Sequence, residues 1–122
     1  METLFETNLS LPLIQQGKVR DIYDIDENRM LIVTTDRLSA FDVVFDDGIA
    51  QKGAVLTEVA NFWFEKTHHI LPNHLTHEPL SSVLNPEEAS LVSGRAVIVK
   101  KLKPLAVEAI VRGYIIGSGW KD

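Results

Sequence analysis

Residues 17–35 read Gly17-Lys-Val-Arg-Asp-Ile-Tyr-Asp-Ile-Asp-Glu-Asn-Arg-Met-Leu-Ile-Val-Thr-Thr35 and predict a β-hairpin. Apolar and polar side chains alternate through the first half of this stretch, as they do in a half-buried strand. A polar turn follows, and the β-branched run that ends at Thr35 returns as the second strand. A fold built outward from this hairpin should be rich in antiparallel sheet.

Two cations, Lys18 and Arg20, project from one face of the first strand, directly after Gly17. Charged donors beside a glycine suit an anionic group such as phosphate, because the backbone can approach closely there. The alternative is that both are ordinary solvated surface charges. The residues alone leave the two interpretations open.

The composition bounds the class of protein. The chain has 122 residues, of which 45% are apolar, and this is enough for one domain with one core. A net charge of −5 argues against a protein that coats nucleic acid or an anionic membrane. The absence of cysteine excludes disulfides, thiol catalysis and cysteine-bound zinc. Since no export signal or membrane span is recognisable, we expect a cytoplasmic protein.

Helical periodicity replaces alternation over residues 54–70. We expect this helix to pack on the core, with its aromatic side chains used for packing and not for a cofactor. Antiparallel strands plus one long packed helix, without a strand–helix–strand repeat, define an α+β fold class with a twisted antiparallel sheet. The apolar stripe of the helix is Leu56, Val59, Ala60 and Trp63. Further strands are predicted at 43–45, 75–80 and 96–102.

A second apolar run, residues 107–116, carries one acid, Glu108, and one base, Arg112. The β-branched residues favour a strand, and the spacing places both charges on one side of it. Because an unpaired buried charge is costly, the two either pair with each other or face a polar ligand. The small turn Gly117-Ser118-Gly119 follows, so we interpret this stretch as one wall of a binding site.

Two further polar clusters require an interpretation. The turn at residues 36–42 offers Asp36, Ser39 and Asp42 as caps or as ligands, and ordinary turn chemistry is the alternative. No metal site is expected in a group of four histidines, because the sequence has neither a His-Glu-x-x-His pattern nor a carboxylate at matching spacing. These histidines are His68, His69, His74 and His77.

Four stretches follow one another along the chain: Gly17-Lys-Val-Arg-Asp-Ile-Tyr23, Thr35-Asp-Arg-Leu-Ser-Ala-Phe-Asp42, Asp47-Gly-Ile-Ala-Gln-Lys-Gly53, and Val107-Glu-Ala-Ile-Val-Arg-Gly-Tyr114 with Gly117 and Ser118. Together they resemble the family of phosphoribosylaminoimidazole-succinocarboxamide synthase (SAICAR synthetase), a ligase of purine biosynthesis. Each motif is weak alone, whereas four in the same order are hard to obtain by chance. The resemblance implies a twisted sheet similar to the small lobe of protein kinases.

The resemblance also implies a reaction. Carboxyaminoimidazole ribotide (CAIR) and L-aspartate would be joined by an ATP-dependent amide bond, giving SAICAR, ADP and phosphate. A carboxylate is a poor electrophile, so the family's expected route is phosphorylation to an acyl phosphate followed by amine attack. ATP with Mg²⁺ would be required. The implied partners are these small molecules, with neither nucleic acid nor membrane among them.

Roles are carried over only to positions that match the family's motifs. No catalytic residue or metal ligand is implied within the chain. A guanidinium fork such as that of Arg112 suits the phosphate or carboxylate of CAIR better than lysine would. The implied ATP-binding residues are Lys18, Arg20, Lys100, Lys101, Leu102 and Glu108. The implied substrate-binding residues are Arg112, Ser118, Asp36, Arg37, Ser39 and Asp42.

The family continues beyond the last motif with an Asp-x-Lys-x-Glu-type segment that this chain lacks. We therefore expect residues 1–122 to be the N-terminal ATP- and CAIR-binding region, with the C-terminal half absent and little turnover by the chain alone. The alternatives are a non-catalytic nucleotide-binding module and an interaction domain whose sheet pairs with another chain. A homo-oligomer also stays open at this point.

Overall fold

The structure, a computed structural model, describes residues 2–121 and confirms an α+β fold. Its main sheet has four antiparallel strands in the order β1-β2-β3-β6, and a separate two-stranded sheet pairs β4 with β5. The strands are β1 Leu13–Gln16, β2 Arg20–Asp24, β3 Arg29–Thr34, β4 Ser39–Ala40, β5 Val43–Val44 and β6 Ala96–Lys100. The helices are α1 Lys52–Thr67, α2 Pro86–Leu91 and α3 Ser118–Lys121, with a 3₁₀ turn at Leu80–Ser82.

The predicted hairpin is present as β2 and β3. The two strands pair in an uninterrupted register from Arg20 opposite Thr34 to Asp24 opposite Met30. Their turn is closed by Asp26, whose carboxylate accepts hydrogen bonds from the backbone amides two and three residues later, at 2.9 and 2.8 Å. Such self-capping by aspartate favours a tight polar turn.

The main core lies on one face of the sheet. Alternation along β2 and β3 turns Tyr23, Leu31 and Val33 to this face, where all three are buried. The N-terminal segment and the 80–92 region cover the face and complete the cluster. Their buried contributions are Leu9, Leu84 and Val92, and β6 adds Ile98.

Helix α1 covers the opposite face of the sheet, but the prediction of a core helix was wrong. Only Gly53 and Thr57 of α1 are buried, while Val59 and Trp63 of the predicted stripe are 50% and 54% exposed. The helix touches the sheet through its first turns, since a Cβ at Gly53 would lie 2.2 Å from the Thr34 carbonyl oxygen. Beyond this contact α1 is separated from the sheet by a cavity.

The strands predicted at 75–80 and 107–116 were also wrong. Only Leu75 forms a β-bridge, to Val99 at the outer edge of β6. Residues 107–116 form neither strand nor helix and are exposed throughout. β-Branched residues favour a strand only when a neighbouring strand supplies the hydrogen bonds, and the described residues supply none to this segment.

The prediction of strand β6 was nearly right, and α2 begins at a capped proline. Helix α2 begins at the Pro-Glu-Glu sequence, with the side chain of Asn85 accepting the Glu88 amide at 2.9 Å as an N-cap. Strand β6 begins where it was predicted and ends two residues earlier, at Lys100. No helix within residues 2–121 is both long enough and apolar enough to cross a bilayer.

Candidate functional site

A cavity of about 390 Å³ separates α1 from the sheet face opposite the core. Its sheet side is formed by Val19, Ile32, Thr34 and Val97, and its helix side by Leu56, Thr57, Ala60, Asn61 and Phe64. Arg20, His74 and Leu75 complete the lining. The cavity is therefore a largely apolar slot with a guanidinium and an imidazole in its wall, which is typical of a small-molecule site.

Two polar groups in this wall are not fully satisfied by the protein. Burial, and after it the positive charge of Arg20, lowers the pKa of His74 below its ordinary 6.5, so the imidazole is neutral at pH 7. The hydroxyl of Thr57 is buried and has no hydrogen-bond partner among the described residues. The sequence did not assign His74 or Thr57 to a ligand site, because nothing in the local pattern shows that α1 and β6 approach each other.

The turn between β1 and β2 carries the two predicted phosphate-binding cations. It is closed by a hydrogen bond from the Gly17 amide to the Arg20 carbonyl oxygen at 2.7 Å. Lys18 is exposed and forms an ion pair with Asp42, at the tip of the β4–β5 hairpin. This hydrogen bond and charge lower the pKa of Asp42 below its ordinary value. A predicted ATP-binding residue and a predicted substrate-binding residue are thus brought together.

The tip that presents Asp42 has an unusual backbone. Phe41 and Asp42 both adopt the left-handed conformation, with φ of 51° and 63°, in a two-residue turn between Ala40 and Val43. Phe41 is fully exposed there, while Ser39 pairs with Val44 inside the small sheet. Glycine and asparagine usually fill such turns, because side chains strain the backbone.

Asp36 and Arg37, in contrast, are buried and fully paired. The carboxylate of Asp36, 0% exposed, accepts from Arg95 at 2.7 Å and from the amides of Gly53 and Leu4 at 2.8 and 2.9 Å. Burial by itself raises the pKa of Asp36, but the bonds from Arg95 and the two amides outweigh it and lower that pKa below 3.8. A substrate could reach neither side chain without breaking these contacts, so neither is placed to touch a substrate directly.

Three of the predicted ATP-binding residues, Lys100, Lys101 and Leu102, lie at the end of β6. Lys101 forms an ion pair with Asp24 and donates its amide to the Asn28 carbonyl at 2.8 Å. Lys100 donates its amide to the His74 carbonyl at 2.8 Å, next to the cavity. Leu102 is 66% exposed. These contacts fix the backbone at the end of the strand and leave the side chains of Lys100 and Leu102 accessible.

Arg112 and Ser118 are brought together, whereas Glu108 is not. The Arg112 guanidinium donates to the Ser118 hydroxyl at 2.7 Å, and Gly117 between them has a left-handed φ of 59°. The open expectation that Glu108 pairs with Arg112 fails, since Glu108 has no ion pair within residues 2–121. A guanidinium and a hydroxyl beside a glycine turn are donors of the kind from which an anion can accept.

Arg95 is a buried structural residue that the sequence did not single out. It is 6% exposed, lies one residue before β6, and its guanidinium supplies the counter-charge of Asp36. A charged residue at the start of an apolar strand was the only available signal. Within residues 2–121, no group of three or more histidine, aspartate or glutamate side chains could hold a metal ion.

Comparison with known proteins places this architecture in a family of ligases. The sequence profile of SAICAR synthetase matches residues 13–122. The chain belongs to the SAICAR synthetase family. Proteins named phosphoribosylaminoimidazole-succinocarboxamide synthase from Nitrosomonas europaea and Dechloromonas aromatica are 61% and 62% identical to it over 120 residues, or 98% of this chain. The chain spans 41% and 39% of the length of these two curated relatives.

A solved structure shows the same fold. The SAICAR synthase from Saccharomyces cerevisiae, complexed with SAICAR, aligns with a TM-score of 0.88 and 38% sequence identity. The alignment covers 98% of this chain and 44% of the yeast chain. The fold class inferred from the hairpin and the single long helix is therefore the family's own.

Proposed function

We propose that this chain forms the ATP- and CAIR-binding N-terminal part of a SAICAR synthetase that acts in the cytoplasm. The reaction is ATP-dependent amide formation between CAIR and L-aspartate, giving SAICAR, ADP and phosphate. The observation that carries the proposal is the cavity between α1 and the sheet, whose wall includes Arg20, two residues from Lys18. Family membership supports it independently.

The cavity fits a nucleotide in size and chemistry. Ligand pockets occupy roughly 300–1,000 Å³, and a largely apolar slot suits the faces of a base. The unpaired Thr57 hydroxyl offers a hydrogen bond within the slot, and Arg20 with Lys18 can hold phosphate oxygens. Lys100 is the last residue of β6, the strand that contributes Val97 to the cavity, and the exposed Leu102 lies two residues beyond it. Both are proposed as further nucleotide contacts.

Magnesium is expected with ATP, but the described residues offer no cluster that would hold it by protein ligands alone. Mg²⁺ usually binds through one or two carboxylates together with substrate phosphates. No step is therefore assigned to the metal here. Glu108, exposed and close in sequence to Arg112, remains proposed only as a residue that approaches the nucleotide.

Arg112 and Ser118 are the residues proposed to hold CAIR. Their mutual hydrogen bond orients the guanidinium, and a phosphate or carboxylate can accept from both groups at once. Asp42 pairs with Lys18, and Ser39 lies in the same small hairpin; both are proposed as further substrate contacts. CAIR held in this way would be oriented toward the phosphate of ATP. Such orientation of reactants accounts for much of an enzyme's rate advantage.

Calorimetric titration of the 122-residue chain with Mg-ATP, and then with CAIR, tests the proposal. We expect heat with Mg-ATP, and Lys18→Ala should weaken this binding by about 10–100-fold because charged hydrogen bonds contribute about 1.5–3 kcal/mol. The matched control is Lys66→Ala on the exposed end of α1, with unchanged affinity. A folded chain that gives no heat with either ligand would refute the proposal.

We also expect no turnover by this chain alone. It spans about 40% of its relatives' length, and it leaves Arg112 and Ser118 on an open surface where water competes with the incoming amine. ADP release that depends on both CAIR and aspartate, measured with the purified chain, would contradict this expectation.

An interaction domain is the second candidate, and one observation favours it. Large apolar side chains between residues 102 and 120 are 62–98% exposed, among them Val111 at 98% and Leu105 at 82%. Continuous exposed apolar surface marks binding to another protein surface. Calorimetry distinguishes the two candidate functions, because an interaction domain without a nucleotide site gives no heat with Mg-ATP.

A further inference from the structure

The turn that carries Lys18 is held from inside the protein by one guanidinium. Arg37, 4% exposed, donates to the carbonyl oxygens of Lys18 and Gly17, both at 3.0 Å, and to that of Phe5 at 2.7 Å. Its remaining bond goes to the Asp21 carboxylate at 2.7 Å. One side chain therefore ties the turn to the N-terminal segment and to strand β2.

We infer that Arg37 is a positioning residue, which holds the Gly17–Lys18 turn in the form that presents Lys18 and Arg20 to an anion; the nucleotide part of this inference rests on the proposed function. The turn contains two carbonyl groups that accept from Arg37, those of Gly17 and Lys18. Carbonyl oxygens carry partial negative charge and repel phosphate. Because Arg37 draws both oxygens inward, the outer side of the turn is left to the cations.

The geometry of Arg37 is itself fixed by a second set of contacts. Asp21, 1% exposed, balances its charge, and the Thr7 hydroxyl donates to the other oxygen of this carboxylate at 2.6 Å. The Tyr23 hydroxyl lies 2.6 Å from the same Thr7 oxygen. A planar guanidinium in such a frame can serve four acceptors at set angles, whereas a lysine ammonium has only three donors at one point.

The test compares Arg37→Lys with Arg95→Lys in the 122-residue chain. Both substitutions keep the charge and disturb a buried ion pair, but Arg95 contacts Asp36 and makes no side-chain contact with the turn. The readouts are hydrogen–deuterium exchange at residues 17–20 and the Kd for Mg-ATP from calorimetry. For Arg37→Lys we expect exchange to quicken and the Kd to rise, each by about tenfold, since at least one backbone hydrogen bond is lost. Arg95→Lys should destabilise the chain with both readouts unchanged.

A purely structural role for Arg37 predicts a different result. The two variants would then lose stability alike, and neither would alter exchange of the turn or the Kd of the folded protein. That outcome overturns the inference, as does unchanged exchange with a changed Kd. If the wild-type chain binds no Mg-ATP, the proposed function fails, while selective loosening of the turn in Arg37→Lys still upholds the positioning of the turn.

A milder variant keeps the inference testable if Arg37→Lys does not fold. Thr7→Val removes the hydrogen bond to Asp21 without touching a charge. We expect faster exchange at residues 17–20 against unchanged exchange of the core strand amides at Leu31 and Val33. Equal exchange of the turn in Thr7→Val and wild type would overturn the inference.

Discussion

The ion pair between Lys18 and Asp42 would compete with any phosphate that binds the turn at residues 17–18. Both side chains are exposed, so the pair is screened by water and weak, yet any anion that uses Lys18 must displace the carboxylate. The strained tip of the β4–β5 hairpin holds Asp42 in this place. Asp42 is therefore a competitor for the same cation.

Asp42→Asn should raise the affinity for Mg-ATP by up to about fivefold, because the competing charge is removed. Calorimetry at low salt and again at 0.5 M NaCl checks this, and the gain should shrink at high salt, where the Debye length falls to a few ångströms. Asp46→Asn, at an exposed acid just after the same hairpin, is the control. An equal gain in both variants would mean that net charge alone is responsible.

Arg112→Ala should weaken CAIR binding with little change in the free energy of unfolding. The side chain is exposed, and its hydrogen bonds go to Ser118 and to the Ile116 carbonyl, so the core does not depend on it. Loss of a charged contact to phosphate corresponds to a decrease in affinity of about 10–100-fold. Lys103→Ala, another exposed cation of this segment, should keep the wild-type affinity. Unchanged CAIR affinity in Arg112→Ala would remove Arg112 from the site.

At the scale of secondary structure, the start of α1 shows local strain. Gln51, the N-cap residue, has a left-handed φ of 69°, and its side chain caps no backbone amide. Left-handed backbone costs about 1–2 kcal/mol in a non-glycine residue. The closely packed Gly53 and the bond from its amide to Asp36 hold the helix start in this position.

Gln51→Gly should raise the free energy of unfolding by about 0.5–1 kcal/mol, since relief of strain exceeds the extra entropy of glycine in the unfolded chain. Urea unfolding followed by circular dichroism measures the change. Ala54→Gly, inside the same helix, should lower stability by about 1 kcal/mol. If both glycines destabilise the chain, the conformation of Gln51 is not strained.

Sequence patterns predicted elements better than they predicted what those elements contact. The alternation of residues 17–35 gave β2 and β3 because each strand of a hairpin supplies the other's hydrogen bonds. The β-branched residues of 107–116 predicted a strand that is not formed, because no neighbouring strand is present among the described residues. In α1, periodicity identified the apolar face but could not show whether another element packs against it. Trp63 and Val59 of this face are half exposed.

For the molecule as a whole, Asp36 joins parts that are distant in sequence. Its carboxylate binds the N-terminal segment at Leu4, the start of α1 at Gly53 and, through Arg95, the entry to β6. The four hydrogen bonds of the Arg37 side chain also go to residues that are distant in sequence. The motif at residues 35–42 resembles an exposed polar turn, and its burial depends on a segment some 30 residues away, so the structural roles of Asp36 and Arg37 were not predictable from local sequence.

The stability of the chain at acid pH should depend on the ionisation of the Asp36 carboxyl. Its folded pKa is lowered below 3.8, so its contribution to stability is complete above that pH and is lost as the pH falls through the lower folded value. We expect the urea midpoint to hold down to about pH 4 and then to decrease. The ¹³C shift of the Asp36 carboxyl should begin to change only below pH 3.8. The control is Asp26→Asn, which removes an exposed ion pair with Arg29 and should keep the same dependence of stability on pH. Titration of Asp36 near its ordinary pKa of 3.8 would contradict the prediction.

The position of β6 in the sheet has a consequence for synthesis of the chain on the ribosome. β2 and β3 are neighbours in sequence and can pair as soon as both have emerged. β6 pairs with β3 only after roughly 60 more residues have been translated, which takes about 3–12 seconds at 5–20 residues per second. During that interval the edge of β3 is unpaired on the nascent chain. A chaperone that acts at the ribosome could bind there.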